Sequence, residues 1–138
     1  MPQSPEAGRL VDLACLHYQG IDGPGRWAEA QALLAADPAC RRDLAVACVC
    51  GDVDVVRALV DEDRGAARRP LGPLGWPPLI YACASRLGYP GLRTGPVIEA
   101  LVAAGADADS HVRITDCCFT ALTFLMGGGE QGLHRQPP

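Results

Sequence analysis

A small-residue pair recurs in this chain, and each time a similar apolar pattern follows it. Ala47-Cys48 precedes Gly51, Val55-Val56 and Leu59, while Ala82-Cys83 precedes Val97-Ile98, Leu101 and the run Gly105-Ala106-Asp107-Ala108-Asp109. Leu44, Ala47 and Cys48 fall at i, i+3 and i+4, one face of a helix, and Val55, Val56, Leu59 and Val60 give the matching face of a second helix. Small residues on the first helix let the pair approach closely. Gly51 permits the tight turn between them, and Gly105 can supply the left-handed residue that ends a helix. Each pair leaves one apolar side open until a neighbour covers it, so a chain of such units folds as a stack, and stacks usually bind things.

When Arg42-Asp43-Leu44-Ala45, Pro77-Pro78-Leu79-Ile80 and Thr120-Ala121-Leu122-Thr123 are aligned, Leu44, Leu79 and Leu122 stand 35 and 43 residues apart. Both spacings exceed the period of about 33 typical of ankyrin repeats, so insertions must account for the difference. One insertion lies between Cys83 and Val97 and holds the Gly/Pro-rich Arg86-Leu87-Gly88-Tyr89-Pro90-Gly91, which reads as a loop. The chain resembles the ankyrin family, whose unit opens G-x-T-P-L-H-x-A-A and closes on a V-V-x-L-L-L helix and G-A-D-V-N. Gly75-Trp76-Pro77-Pro78-Leu79-Ile80-Tyr81-Ala82-Cys83 matches the opening, with Pro77 for Thr and Ile80 for His, substitutions that weaken the usual hydrogen-bonded lock at the helix start. Val97 through Asp109 matches the close nearly position for position. Asp43 through Val60 matches the helical part of a repeat, and Thr120 through Gly129 only the first half. The resemblance covers roughly residues 40 to 129. It implies an all-α, ankyrin-type solenoid of stacked helix-turn-helix repeats with short finger loops.

On this reading, residues 1–39 form a degenerate N-terminal capping repeat, 40–72 a repeat, 73–115 a repeat with an inserted loop at 86–96, and 116–138 an incomplete repeat with a flexible tail. Leu10, Val11, Leu13 and Ala14 give one cap helix, and Trp27, Ala30, Leu33 and Leu34 another, parted by Ile21-Asp22-Gly23-Pro24-Gly25. Asp37-Pro38 stops the second, since the residue before proline avoids helix. Thr120 to Met126 is expected to be a short helix with Leu122, Leu125 and Met126 partly uncovered. Everything from Gly127 on is expected to be mobile, because three glycines raise the entropy lost on ordering and Leu133 alone buries too little to offset it. Either the chain is a fragment of a longer array or its last helix is a poorly packed end.

At 138 residues the chain suffices for one domain with a core that needs no disulfides. It has no apolar run of transmembrane length, and Met1 to Gly20 lacks the plan of a signal peptide, so a cytoplasmic location is expected. The basic residues are all arginine, which together with heavy Ala, Gly and Pro use points to a GC-rich, bacterial genome. The net charge of −4 argues against non-specific nucleic-acid binding. Arg64, Arg68 and Arg69 follow Asp61, Glu62 and Asp63 and read as a self-compensated loop rather than an anion site.

Seven cysteines raise a metal or redox reading, chiefly at Cys48-x-Cys50 and Cys117-Cys118, but neither pair has the C-x-x-C spacing of a structural zinc site. Cys15, Cys48 and Cys83 occupy small-residue slots of helices, where a thiol behaves as a buried hydrophobe. None of His17, His111 and His134 stands in a catalytic spacing, and surface or capping roles are expected for them. Gly127-Gly128-Gly129 lacks the Lys-Ser/Thr of a phosphate loop.

The leading function is therefore a non-catalytic scaffold that binds another protein, as a monomer and without cofactor or metal, through finger loops and inner helices. The alternatives are a regulatory or structural repeat segment of a larger enzyme and, more remotely, a thiol-based metal or redox site. The resemblance places Trp76 on a finger, with Arg41 and Phe119 as its equivalents in the flanking repeats, and Leu74 beside it. Val49-Cys50 and Ala84-Ser85 face the groove from the first helices. Trp76 is either an exposed anchor for a partner or packed on the neighbouring finger through Pro70, Leu71 or Phe119; partial exposure is expected.

Overall fold

The fold is a computed structural model that describes residues 4–15, 17, 23–87, 94–114 and 117–125. Helix α1 (Pro5–Ala14) starts where Ser4 Oγ accepts from the Ala7 amide and Pro5 fills the first helical position, a site that needs no N–H. Its buried face is Ala7, Leu10, Val11 and Ala14, spaced at three and four residues. Helix α2 (Pro24–Ala36) lies on α1 and buries fully only Ala30. The 3-10 turn Pro38–Arg42 follows.

Helix α3 (Leu44–Cys50) is capped by Asp43, whose Oδ1 accepts from the Val46 amide at 3.1 Å, and ends on Gly51 at φ 74°. Helix α4 (Val53–Glu62) then turns Val56 and Val60 into the core. After the 3-10 turn Arg64–Ala67 comes α5 (Pro78–Ala84), buried along its whole length, and then α6 (Gly95–Ala103), which buries Val97 and Leu101. Gly105, at φ 105°, closes this second pair. Helices α1, α3 and α5 are successive neighbours in one layer; α4 and α6 pack against each other and against α3 and α5 in a second. A single core runs from Ala7 to Phe124.

The ends of the first layer are stitched together. Cys15 and Ser85 form an isolated antiparallel bridge, the Arg86 amide donates to Ala14 O at 2.8 Å, and Ser85 Oγ donates to Val49 O at 2.6 Å. Thr94 Oγ1, which ends the inserted stretch, donates to Ala82 O at 2.6 Å. These bonds satisfy carbonyls that helix ends leave without intrahelical partners. Residues 88–93 of the expected inserted loop lie outside the described residues.

The expectation of an all-α solenoid is corrected here. Strands β1 (His111–Ile114) and β2 (Cys117–Thr120) form a two-stranded antiparallel sheet, with Val112 opposite Phe119 and Ile114 opposite Cys117. The physical reason lies in the residues. His111 and Arg113 are exposed, while Val112 is half-buried and Ile114 buried, a period of two that suits a pleated strand. β-branched and aromatic side chains at 112, 114, 119 and 120 favour the same state. Beyond β2, residues 121–125 are helical, with Thr120 Oγ1 accepting from the Thr123 amide at 3.1 Å. Leu122 is 62% exposed and Leu125 half-buried, as expected for this segment. Met126 and the tail from Gly127 lie outside the described residues.

Candidate interaction surface

The loop before α5 owes its shape to glycine and a phenol. The Leu71 amide donates to Trp76 O at 3.0 Å and the Gly75 amide to Gly72 O at 3.3 Å, closing a tight reversal with Gly72 at φ 74° and Gly75 at φ 65°. Pro77 stands at the N-cap of α5 and offers no side-chain cap. The lock comes instead from Tyr81, one turn into the helix. Its hydroxyl donates to Leu71 O at 2.7 Å and accepts from the Leu74 amide at 3.1 Å, tying the loop to α5 from inside. Burial pushes the phenol up to about 12, while the backbone donors at Leu74 and Trp76 pull the other way.

Trp76 does not meet the expectation of exposure. It is 6% exposed, with ring centroids 6.0 Å from His17, 5.4 Å from Tyr81 and 5.2 Å from Phe124. The large apolar ring is closed in by aromatics from three other parts of the chain, so its role as an exposed anchor is withdrawn. His17 is likewise no surface group. It is 5% exposed, and its Nε2 lies 2.7 Å from Asp12 O and 3.4 Å from Asp12 Oδ1.

Of the other residues expected at the groove, Val49, Ala84 and Ser85 are buried, because the stitched ends of α1, α3 and α5 cover them. Arg41 remains exposed, and Cys50, Leu74 and Phe119 are half-buried. The structure joins Phe119 to Trp76 through Phe124, whose ring centroid is 6.0 Å from that of Phe119. Leu122, exposed two residues before Phe124, was missing from the expected site. Its signal was already in the sequence, as one of the residues of a short helix expected to be partly uncovered.

The thiols divide by burial. Cys15, Cys48 and Cys83 are buried as small core residues; burial drives the Cys48 thiol far upward and that of Cys83 up to about 12. Cys117 and Cys118 are exposed on β2. Among the described residues no group of three or more His, Cys, Asp or Glu side chains could hold a metal ion. Arg69 pairs with Asp63 at 3.0 Å, the self-compensation expected of that loop. No described helix is long and apolar enough to cross a membrane. No family model, curated protein or solved structure matches the chain.

Proposed function

We propose that this chain is a non-catalytic recognition module that binds another protein through Leu74, Phe119 and Leu122, with Arg41 and Cys50 at its margin. The aromatic column Trp76–Phe124–Phe119 carries this reading. It fixes the 71–76 loop and the β-hairpin to one core, so that apolar residues left open to solvent sit on a rigid support. Preorganised apolar side chains lose little conformational freedom on binding, which is the property that separates affinity from mere area. The ankyrin resemblance over residues 40 to 129 points to the same class of function. On this reading the module acts as a monomer in the cytoplasm and needs no cofactor.

Photo-crosslinking tests it. A photoreactive amino acid placed at 119 or 122 should capture a discrete protein in cells of the source organism, whereas one at Arg57, exposed on α4, should not. Phe119→Ala should then weaken binding of the captured protein by about 2 kcal/mol without changing the circular dichroism spectrum. Capture from position 57 but not from 119 or 122 would overturn the assignment.

A further inference from the structure

A second feature lies elsewhere in the molecule, in an open trough of about 920 Å³ between the two 3-10 turns. Its apolar lining comes from Ala7 and Cys40, which are buried, and from Leu44, Leu59 and Leu71, which are half-buried. Its charged lining is one-sided, with Asp37, Asp43, Glu62 and Asp63 facing Arg42, the one cation among its described lining residues. Three of these carboxylates are held in place. Asp43 Oδ1 accepts from the Val46 amide, Asp63 Oδ1 from the Gly65 amide at 3.1 Å, and Asp37 Oδ2 from Cys40 Sγ at 3.4 Å. Arg69 pairs with Asp63 from outside the trough and offsets much of that one charge, which leaves Asp37, Asp43 and Glu62 to outweigh Arg42.

We propose that this trough docks an extended basic segment of a partner protein, with one leucine-sized side chain seated on Leu44, Leu59 and Leu71 and Arg or Lys on either side. Charge complementarity selects this occupant. A second copy of the chain, net −4, would bring like charge to the same rim, and an anionic lipid surface would be repelled. A small organic cation would leave much of itself in water, because the trough is open to solvent and small-ligand sites enclose about 70–90% of their ligand. An extended segment needs only one covered face. The trough shares the 71–76 loop with the face proposed above but none of its three central residues, so the two can fail separately.

The probe is a fluorescein-labelled decapeptide with a central Arg-Leu-Arg in a Gly/Ser background, read by anisotropy against the whole chain. Saturable binding that weakens with added salt is expected. Glu62→Lys should weaken it about fivefold, since an exposed pair is lost and a repulsion gained. That substitution is safe for the fold, because Glu62 is exposed and a cation suits the C-terminal end of α4. Arg42→Glu, which removes the only cation among the described lining residues, should tighten binding. Glu99→Lys, exposed on α6, should change nothing. Absence of saturable binding by the unaltered chain, equal weakening by Glu99→Lys, or equal affinity for a Glu-Leu-Glu peptide would each overturn the proposal. Competition by free arginine amide at the same affinity as the peptide would point to a small cation and overturn it too.

Discussion

Single residues decide the loop that ends at α5, and Gly72 is the most constrained of them. Its φ of 74° disfavours any side chain, and a Cβ there would lie 2.6 Å from the Tyr81 hydroxyl. Gly72→Ala must therefore both strain the backbone and break the phenol's two hydrogen bonds, a loss of about 2 to 4 kcal/mol. Gly75 has a similar φ of 65° but open space around its Cβ position. Gly75→Ala should lose only about 1 kcal/mol. Urea melts of the two variants check this, and equal losses would mean that the Tyr81 lock contributes nothing. Pro77 and Ile80 indicated a weakened hydrogen-bonded lock at this helix start, but not what holds it instead. The replacement comes from ten and seven residues along the chain, at a spacing that follows from the loop's path. Trp76 was misjudged for the same reason. Its place in the loop before α5 was readable, but the enclosing rings of His17 and Phe124 come from distant segments that no local pattern brings together.

At the level of elements, the helices were the legible part, because apolar residues at three and four spacing mark a face wherever several turns repeat it. The hairpin was not, since four residues per strand give alternation too little length to stand out within a loop-like stretch. The close approach of α3, α4, α5 and α6 rests on the small residues read from the sequence. Ala47, Cys48, Ala82 and Cys83 are all essentially inaccessible. Adding bulk there must displace a neighbouring helix, whereas removing a sulfur leaves only a small void. Ala82→Leu is expected to destabilise by about 1 to 3 kcal/mol and Cys83→Ala by less, as seen in thermal melts. The reverse order would show that Cys83 makes an interaction beyond packing.

For the molecule as a whole, the same burial that stitches the core together sets its response to alkali. Tyr81 and Cys83 keep their protons in the fold up to about 12, against ordinary values of 10.0 and 9.0, because burial disfavours their charged forms. With each folded value above the unfolded one, the unfolded chain releases these protons first as pH rises. The contribution of each group to stability is complete below its unfolded value and is lost as pH climbs through the folded value. Stability should thus begin to fall near pH 9, through the buried thiols of Cys48 and Cys83, and more steeply beyond pH 10, as the phenol joins them. Tyr81→Phe separates the phenol from the thiols. The variant starts less stable at neutral pH, having lost the bonds to Leu71 and Leu74, yet it should lose less on going from pH 10 to about 12 than the unaltered chain. Urea melts across that range provide the measurement. A variant curve parallel to that of the unaltered chain throughout would show that the phenol titrates alike in both states, and that the loop lock is open in solution.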